Sequence, residues 1–182
     1  MLELGAGSGR NLAALIGTMA VVAVESDHAR ADALRVDFDA SNPEIICFSS
    51  AGMPLGDQFF SAVLSTHALL HGMPNALQTT LREVGRVMKP AALLFAAFGS
   101  ESDERFGQGD RRGPHSFVSS EGDEAGIVHS FFREAALREL LHDFEIEDIN
   151  KVAVDDIAGT WAHAQRPLRG AVHWFVVARK RR

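Results

Sequence analysis

Strand-like apolar runs alternate with segments of helical spacing over residues 1–98, and this alternation restricts the fold more than any other feature. The runs are "MLEL", "AVVAVE", "EIICFS", "FFSAVLST" and "AALLFAAF". Asn11 to Ile16 is a short helical candidate. "SDHARADALRVDFDA" sets Ala29, Ala33, Leu34 and Val36 among charges, with Ser26 or Asp27 available as N-cap. "NALQTTLREVGRVM" follows Pro74 and puts Leu77, Leu81, Val84, Val87 and Met88 on one face. Lys89-Pro90 ends that helix, because proline cannot continue it and biases its predecessor toward extended geometry. Repeated strand–helix–strand units predict a parallel sheet with helices on both faces. The strands are apolar throughout rather than alternating, as burial on both faces requires.

Residues 99–129 break the pattern, being rich in glycine and charge and poor in large apolar groups. A segment of that length is either functional or mobile. Helical texture returns in "REAALRELLHDF", with Ala136, Leu137, Leu140 and Leu141 as its buried set. Two strand candidates follow, "FEIEDINKVAV" and "AVHWFVVARK". Only a short irregular link precedes the second, so the last strand is expected to pair antiparallel.

At 182 residues the chain reads as one domain over 1–182, with a glycine-rich insert at 99–129. No apolar run approaches the roughly 18 residues of a membrane span, and the first ten residues lack signal-peptide character. The expectation is a cytoplasmic protein without a membrane partner. Cys47, the single cysteine, cannot form an internal disulfide and reads as a small buried apolar residue. Net charge is −6 even though the chain ends in Arg179, Lys180, Arg181 and Arg182. An acidic body is a poor match for nucleic acid, whose binding rests on neutralised phosphates. The basic end reads as a solvated terminus.

"LELGAGSGR" joins a strand to a glycine-rich turn, a device that brings backbone close to a charged or nucleotide-like ligand. Glu25 closes the next strand, where a carboxylate can accept from both ribose hydroxyls of an adenosine cofactor. A dinucleotide fingerprint asks for glycine three positions after Gly7, and Arg10 stands there. Glu3 is also awkward beside a pyrophosphate, whereas it suits a ligand carrying an ammonium or sulfonium group. A nicotinamide oxidoreductase is therefore disfavoured.

With "LELGAGSGRN", "VVAVESD", "FSAVLSTHALLHG" and "LREVGRVMKPAALLFAAFGS" in order, the chain resembles the class I (seven-β-strand) S-adenosylmethionine-dependent methyltransferases. The likeness covers nearly the whole chain, and its texture is nearest to small bacterial methyltransferases. It implies an α/β, Rossmann-like doubly wound sheet in the order 3-2-1-4-5-7-6, mostly parallel with an antiparallel last strand. It implies S-adenosylmethionine as cofactor and methyl transfer to a small-molecule acceptor. Glu3, Gly5, Ala6 and Gly7 would surround the methionine part, Glu25 the ribose, and Ser26 the adenine. Ser50 and Ala51 occupy the place of the family's adenine-binding acidic or amide residue. Ser65, Thr66 and His67 would lie under the sulfonium. The Asn/Asp-Pro-Pro-aromatic motif of many amino-methylating DNA enzymes is replaced here by "STHA".

Methyl transfer from a sulfonium draws mainly on proximity and alignment, and a base is needed only when the acceptor must lose a proton. His67 and His71, four apart beyond strand four, are the candidates for base or anchor, facing the site together if that segment is helical. No metal is expected from the pair, for want of a third well-placed ligand. Arg105 and His129, in the insert, are the candidates for orienting an acceptor. His28, His142, His163 and His173 read as bland, and Trp161 and Trp174 as packing residues. The family usually places helices and the first half of strand one ahead of the glycine loop, so strand 1 reads as truncated. The expected consequences are exposed apolar surface, a homodimer through that surface, and weakened cofactor binding. The alternative function is an S-adenosylmethionine or S-adenosylhomocysteine-binding module without turnover.

Overall fold

The structure is a computed structural model and describes residues 1–39, 43–49, 52–122, 124–154 and 170–181. In chain order, β1 (Leu2–Leu4), α1 (Arg10–Leu15), β2 (Val22–Glu25), α2 (His28–Asp37) and β3 (Glu44–Cys47) form the first half. β4 (Phe60–Ser65), α3 (Pro74–Val87) and β5 (Met88–Ser100) extend it. The remainder comprises β6 (Asp110–Gly113), β7 (Ser116–Val118), β8 (Val128–Phe132), α4 (Glu134–Leu140), β9 (Phe144–Ala153) and β10 (Val172–Lys180).

β1 is central and wholly buried, lying parallel to β2 on one side and β4 on the other. β3 continues the parallel sheet beyond β2, and β5 beyond β4. β10 runs antiparallel along β5 and β9 antiparallel along β10. The sequence β3-β2-β1-β4-β5-β10-β9 is the expected strand order with its antiparallel last strand. Large apolar side chains from β1, β4 and β5, among them Leu2, Val63, Leu94 and Phe98, pack with α3 residues Leu77, Leu81 and Val84. Ala6, Leu12, Val21, Ala23 and Leu34 form a smaller cluster. Successive strand residues point to opposite faces, and Ala23 and Val24 belong to different clusters, so the two cores cover opposite faces of the sheet.

α3 buries the face read from its spacing and stops at Val87, one residue earlier than the periodic pattern. Met88 instead opens β5. Asp27 is the N-cap of α2, its side chain accepting from the Arg30 N–H at 2.9 Å. The buried face of α2 differs from expectation. Ala31 and Leu34 pack inward, while Ala29 and Ala33 are exposed and Val36 is 77% exposed. The physical reason is that a ten-residue helix against a narrow strand pair buries one row, i and i+3, rather than a broad stripe. Cys47 is half-buried rather than buried, because β3 is the edge strand. Trp174 is buried packing as expected, and its indole N–H donates to the Phe132 carbonyl at 2.8 Å. Trp161 and His163 lie outside the described residues.

The insert also carries regular structure that its composition concealed. β6 and β7 form a hairpin, and β7 pairs antiparallel with β8. Gly99 pairs with His173 of β10 on one side and with Phe131 of β8 on the other. β4 pairs with β5 only as far as Ala96, so β8 takes up the same edge of β5 just past the end of β4.

Phe98 is fully buried at the centre of the larger core, edge-on to Phe132 with ring centroids 6.4 Å apart. Phe98→Ala is expected to destabilise the fold by about 3–5 kcal/mol, read from urea unfolding monitored by circular dichroism.

Candidate active site

The chain leaves β1 through a turn that only glycine fits at two points. Gly5 has φ 76°, and a Cβ there would lie 2.5 Å from the Ala68 Cβ. Gly9 has φ 81°, with the Phe38 ring and the Leu34 side chain closing the space beside it. The turn is held from both sides. The Gly5 and Ala6 N–H groups donate to the Val24 carbonyl at 2.8 and 3.2 Å. The Gly7 N–H donates to Glu25 Oε2 at 2.8 Å, and the Asp27 N–H to Glu25 Oε1 at 3.0 Å. Glu25 therefore locks the glycine loop to the tip of β2 as well as presenting its carboxylate there.

An open cleft of about 580 Å³ runs along this loop. One end is lined by Glu25, Ser26 and Asp27, the middle by Gly5, Ala6 and Gly7, and the other end by Thr66, His67, His71 and Glu124. Thr66 is fixed from the loop side, its hydroxyl accepting from Asn11 Nδ2 at 2.8 Å and Arg10 Nη2 at 3.3 Å.

Glu3 lies beneath the loop, 1% exposed and outside the cleft lining. Among the described residues neither of its carboxyl oxygens has a hydrogen-bond partner of ordinary geometry. Burial pushes its pKa up to about 7, against weaker opposing pulls from Asn11 and Arg10. Ser65 ends β4 fully buried, below the cleft rather than in its lining. Ser50 and Ala51 lie outside the described residues.

At the far end, candidates from distant parts of the sequence converge on one carboxylate that spacing did not single out, Glu124. Its Oε1 lies 2.8 Å from His67 Nε2 and 3.1 Å from His71 Nε2, and its Oε2 lies 2.8 Å from His129 Nε2. The His71 ring stands edge-on to both neighbours, with centroids 5.0 Å from His67 and 4.7 Å from His129. Burial alone would raise Glu124. Hydrogen bonds from His129 and His67, with the His71 imidazole close beside them, together outweigh it and hold the carboxyl far below the usual carboxylate range.

Residues 66–70 form bends and a turn rather than the helix that would have aligned His67 and His71. What aligns them is β8: the Ser130 N–H donates to Leu70 O at 2.9 Å, the Gly72 N–H to Val128 O at 2.8 Å, and His71 bridges His129. The expectation that no third metal ligand is suitably placed is corrected by the same arrangement, since Glu124 shares a 4.8 Å neighbourhood with both histidines. It came from the insert, and only tertiary pairing brings it here.

Arg105 stands behind Glu124, its Nη1 3.9 Å from Oε2. Its main partner is the buried Asp103, which accepts from Arg105 Nε and Nη2, both at 2.8 Å, and from the Val172 N–H at 3.0 Å. Asp103 stays ionised because Arg105 outweighs the effect of burial. His173, read as bland, lies in β10 behind this cluster. It is fully buried, and burial, then Arg105 and His67, push its pKa down to about 3. It is neutral at pH 7, with its Nε2 placed 3.2 Å from Arg105 Nη2 to accept from the guanidinium.

A family profile described as a methyltransferase domain matches residues 2–96. The chain belongs to the class I S-adenosylmethionine-dependent methyltransferases. Its fold is similar to that of an S-adenosylmethionine-dependent methyltransferase from Methanosarcina mazei, with TM-score 0.81 at 17% identity over 99% of this chain and 91% of that one. The 1,6-didemethyltoxoflavin-N1-methyltransferase of Burkholderia thailandensis, solved with bound 1,6-didemethyltoxoflavin and S-adenosylhomocysteine, gives 0.70 at 20% identity over 100% and 70%. The [4+2]-cyclase SpnF gives 0.68 at 18% identity over 99% and 74%. A search of curated proteins finds no significant match.

The methyltransferase's cofactor is S-adenosylmethionine, and the residues fit it. The loop between Gly5 and Gly9 leaves open space at Gly7, where an added Cβ would meet nothing within 4 Å. The Glu25 carboxylate, at one end of the cleft, suits its ribose hydroxyls. When bound, the cofactor supplies a methyl activated on a sulfonium.

Glu3 titrates at about 7 in the fold against 4.5 unperturbed, so between those values the folded chain binds more protons than the unfolded one. Stability then falls as pH rises from about 4.5 to about 7, by at most about 3 kcal/mol from this group. Glu3→Gln is expected to remove that slope. Its unfolding free energy relative to the parent should rise from pH ~5 to pH ~8, as measured by urea titration at both; an unchanged difference refutes the assignment.

Proposed function

We propose that the chain transfers a methyl group from S-adenosylmethionine to a small-molecule acceptor held at the His67, His71 and Glu124 end of the cleft. The observation that carries this reading is the continuity of one cleft from Glu25, through the glycine turn, to that cluster. In it Glu25 accepts from the ribose, Ser26 flanks the adenine, and Gly5, Ala6 and Gly7 meet the methionine part through backbone. Thr66, braced by Asn11 and Arg10, shapes the passage between cofactor and acceptor. The chain's own contribution is alignment, worth up to about 7–11 kcal/mol in well-oriented systems.

His71 is the more accessible of the two histidines to an acceptor. Its side chain is 25% exposed against 13% for His67, and it lines the cleft. Arg105 is a positioning residue in this reading. Its charge is already matched by Asp103, so it steadies Glu124 and His173 rather than the acceptor. His129 likewise acts through Glu124. The reaction is that of a single domain in a reducing, cytoplasmic setting, consistent with its lone cysteine. Among the described residues no helix is long and apolar enough to cross a membrane.

A second reading is a module that binds the cofactor without transferring its methyl. The likeness to a protein named as a cyclase supports keeping it, since this fold also carries other chemistry. An acceptor panel incubated with S-adenosylmethionine separates the two. S-adenosylhomocysteine released with any acceptor supports transfer, and tight cofactor binding with no release supports the module.

Glu25→Ala is expected to weaken S-adenosylhomocysteine binding about ten- to a hundredfold in calorimetric titration, from the 1.5–3 kcal/mol typical of hydrogen bonds to a charged group. Ser26→Ala, on the exposed rim, should change it far less.

A further inference from the structure

We propose that His67, His71 and Glu124 form a binding site for one divalent transition-metal ion of the zinc class, at the acceptor end of the cofactor cleft. Their ligand atoms lie within 4.8 Å of one another. Glu124 Oε1 sits 2.8 Å from His67 Nε2 and 3.1 Å from His71 Nε2. Zinc bonds of about 2.0–2.1 Å in a tetrahedron separate ligand atoms by about 3.3 Å. The two carboxylate–imidazole separations lie close to that value, as a shared ion requires.

The bonding pattern in the cluster points the same way. His71 Nε2 is buried and makes no hydrogen bond of acceptable direction, although a carboxylate oxygen is only 3.1 Å away. That nitrogen and that oxygen face each other across a gap one shared cation would bridge. His129 then serves as the orienting partner, its Nε2 2.8 Å from the other Glu124 oxygen. Metal-bound carboxylates are held in this way by outer hydrogen bonds. The Arg105 charge, 3.9 Å from that same oxygen, is balanced by Asp103 and does not compete for the inner oxygen.

Two imidazoles and one carboxylate select zinc-class ions over magnesium or calcium, which prefer all-oxygen shells. Three protein ligands leave a fourth position open, the pattern of a catalytic rather than a structural site. All three ligands line the cleft, so the open position takes water or a lone-pair oxygen or nitrogen of a bound molecule. Placing a methyl acceptor there rests on the proposed transfer reaction, whereas the ion's binding rests on the ligands alone.

The test uses the full, untagged, metal-stripped chain titrated with Zn²⁺ by calorimetry, with metal content read after dialysis. One ion per chain is expected. His71→Ala and Glu124→Gln should abolish stoichiometric binding, and His129→Ala should weaken it about 10–100-fold. His142→Ala, an exposed histidine outside the cluster, should bind like the parent. Loading with Co²⁺ should give the visible absorption of a low-coordinate ion, lost in His71→Ala. Failure of the parent to retain zinc overturns the proposal, as does equal binding by His71→Ala and Glu124→Gln. S-adenosylhomocysteine is titrated separately into the same protein. Cofactor binding without zinc sinks the metal site alone, and zinc binding without cofactor sinks the transfer reading alone.

Discussion

The site depends on where β8 docks. β10 occupies one edge of β5, and β4 stops short on the other, leaving the last residues of β5 with an open edge. An unpaired edge leaves backbone donors and acceptors unsatisfied, and β8 satisfies them at Gly99 and Ser100 while also pairing with residues 70–72. A single strand thereby ties the segment after β4 to the segment after β5. Gly99 permits the approach, since a Cβ there would meet the Ser130 carbonyl at 2.6 Å. Without that docking, His67 and His71 would have no fixed relation to Glu124 or His129.

Two carboxylates divide the labour along the cleft, each set by its surroundings. Glu25 accepts from two backbone N–H groups and so couples the shape of the glycine loop to the end of β2. Glu124 is surrounded by imidazoles, which hold it ionised despite burial. Glu3 is the contrasting case, buried without such partners and held near neutrality in its titration. Behind Glu124, the Asp103–Arg105 pair fills the space between the insert and β10, with Asp103 also capping the Val172 N–H. His173 is kept neutral by that environment. The cleft thus has a backbone-lined end suited to a nucleoside and an imidazole-rich end suited to chemistry.

Much of this was legible in the residues. The apolar pattern gave the parallel core, because burial on both faces leaves a continuous apolar imprint, while Pro90 marked the helix stop and the short link before the last strand its antiparallel pairing. The glycine spacing with Glu25 pointed to the adenosine end. The insert was opaque for a physical reason. β6 is charged and mostly exposed, and β7, though buried, is only three residues long, so neither carries a hydrophobic period. Glu124 looked like one more solvated charge among glycines, and His173 like an ordinary strand residue, because their roles come from partners far away in sequence.

The sequence by itself determined the layered α/β fold and the place of the cofactor loop, since both follow from local patterns: apolar runs, a helix-stopping proline, and glycines where the backbone takes positive φ. Only the tertiary structure decided that His67, His71, Glu124 and His129 meet. They come from two segments joined by strand pairing across more than fifty residues, and such pairing is specified by an open sheet edge rather than by any pattern within either segment.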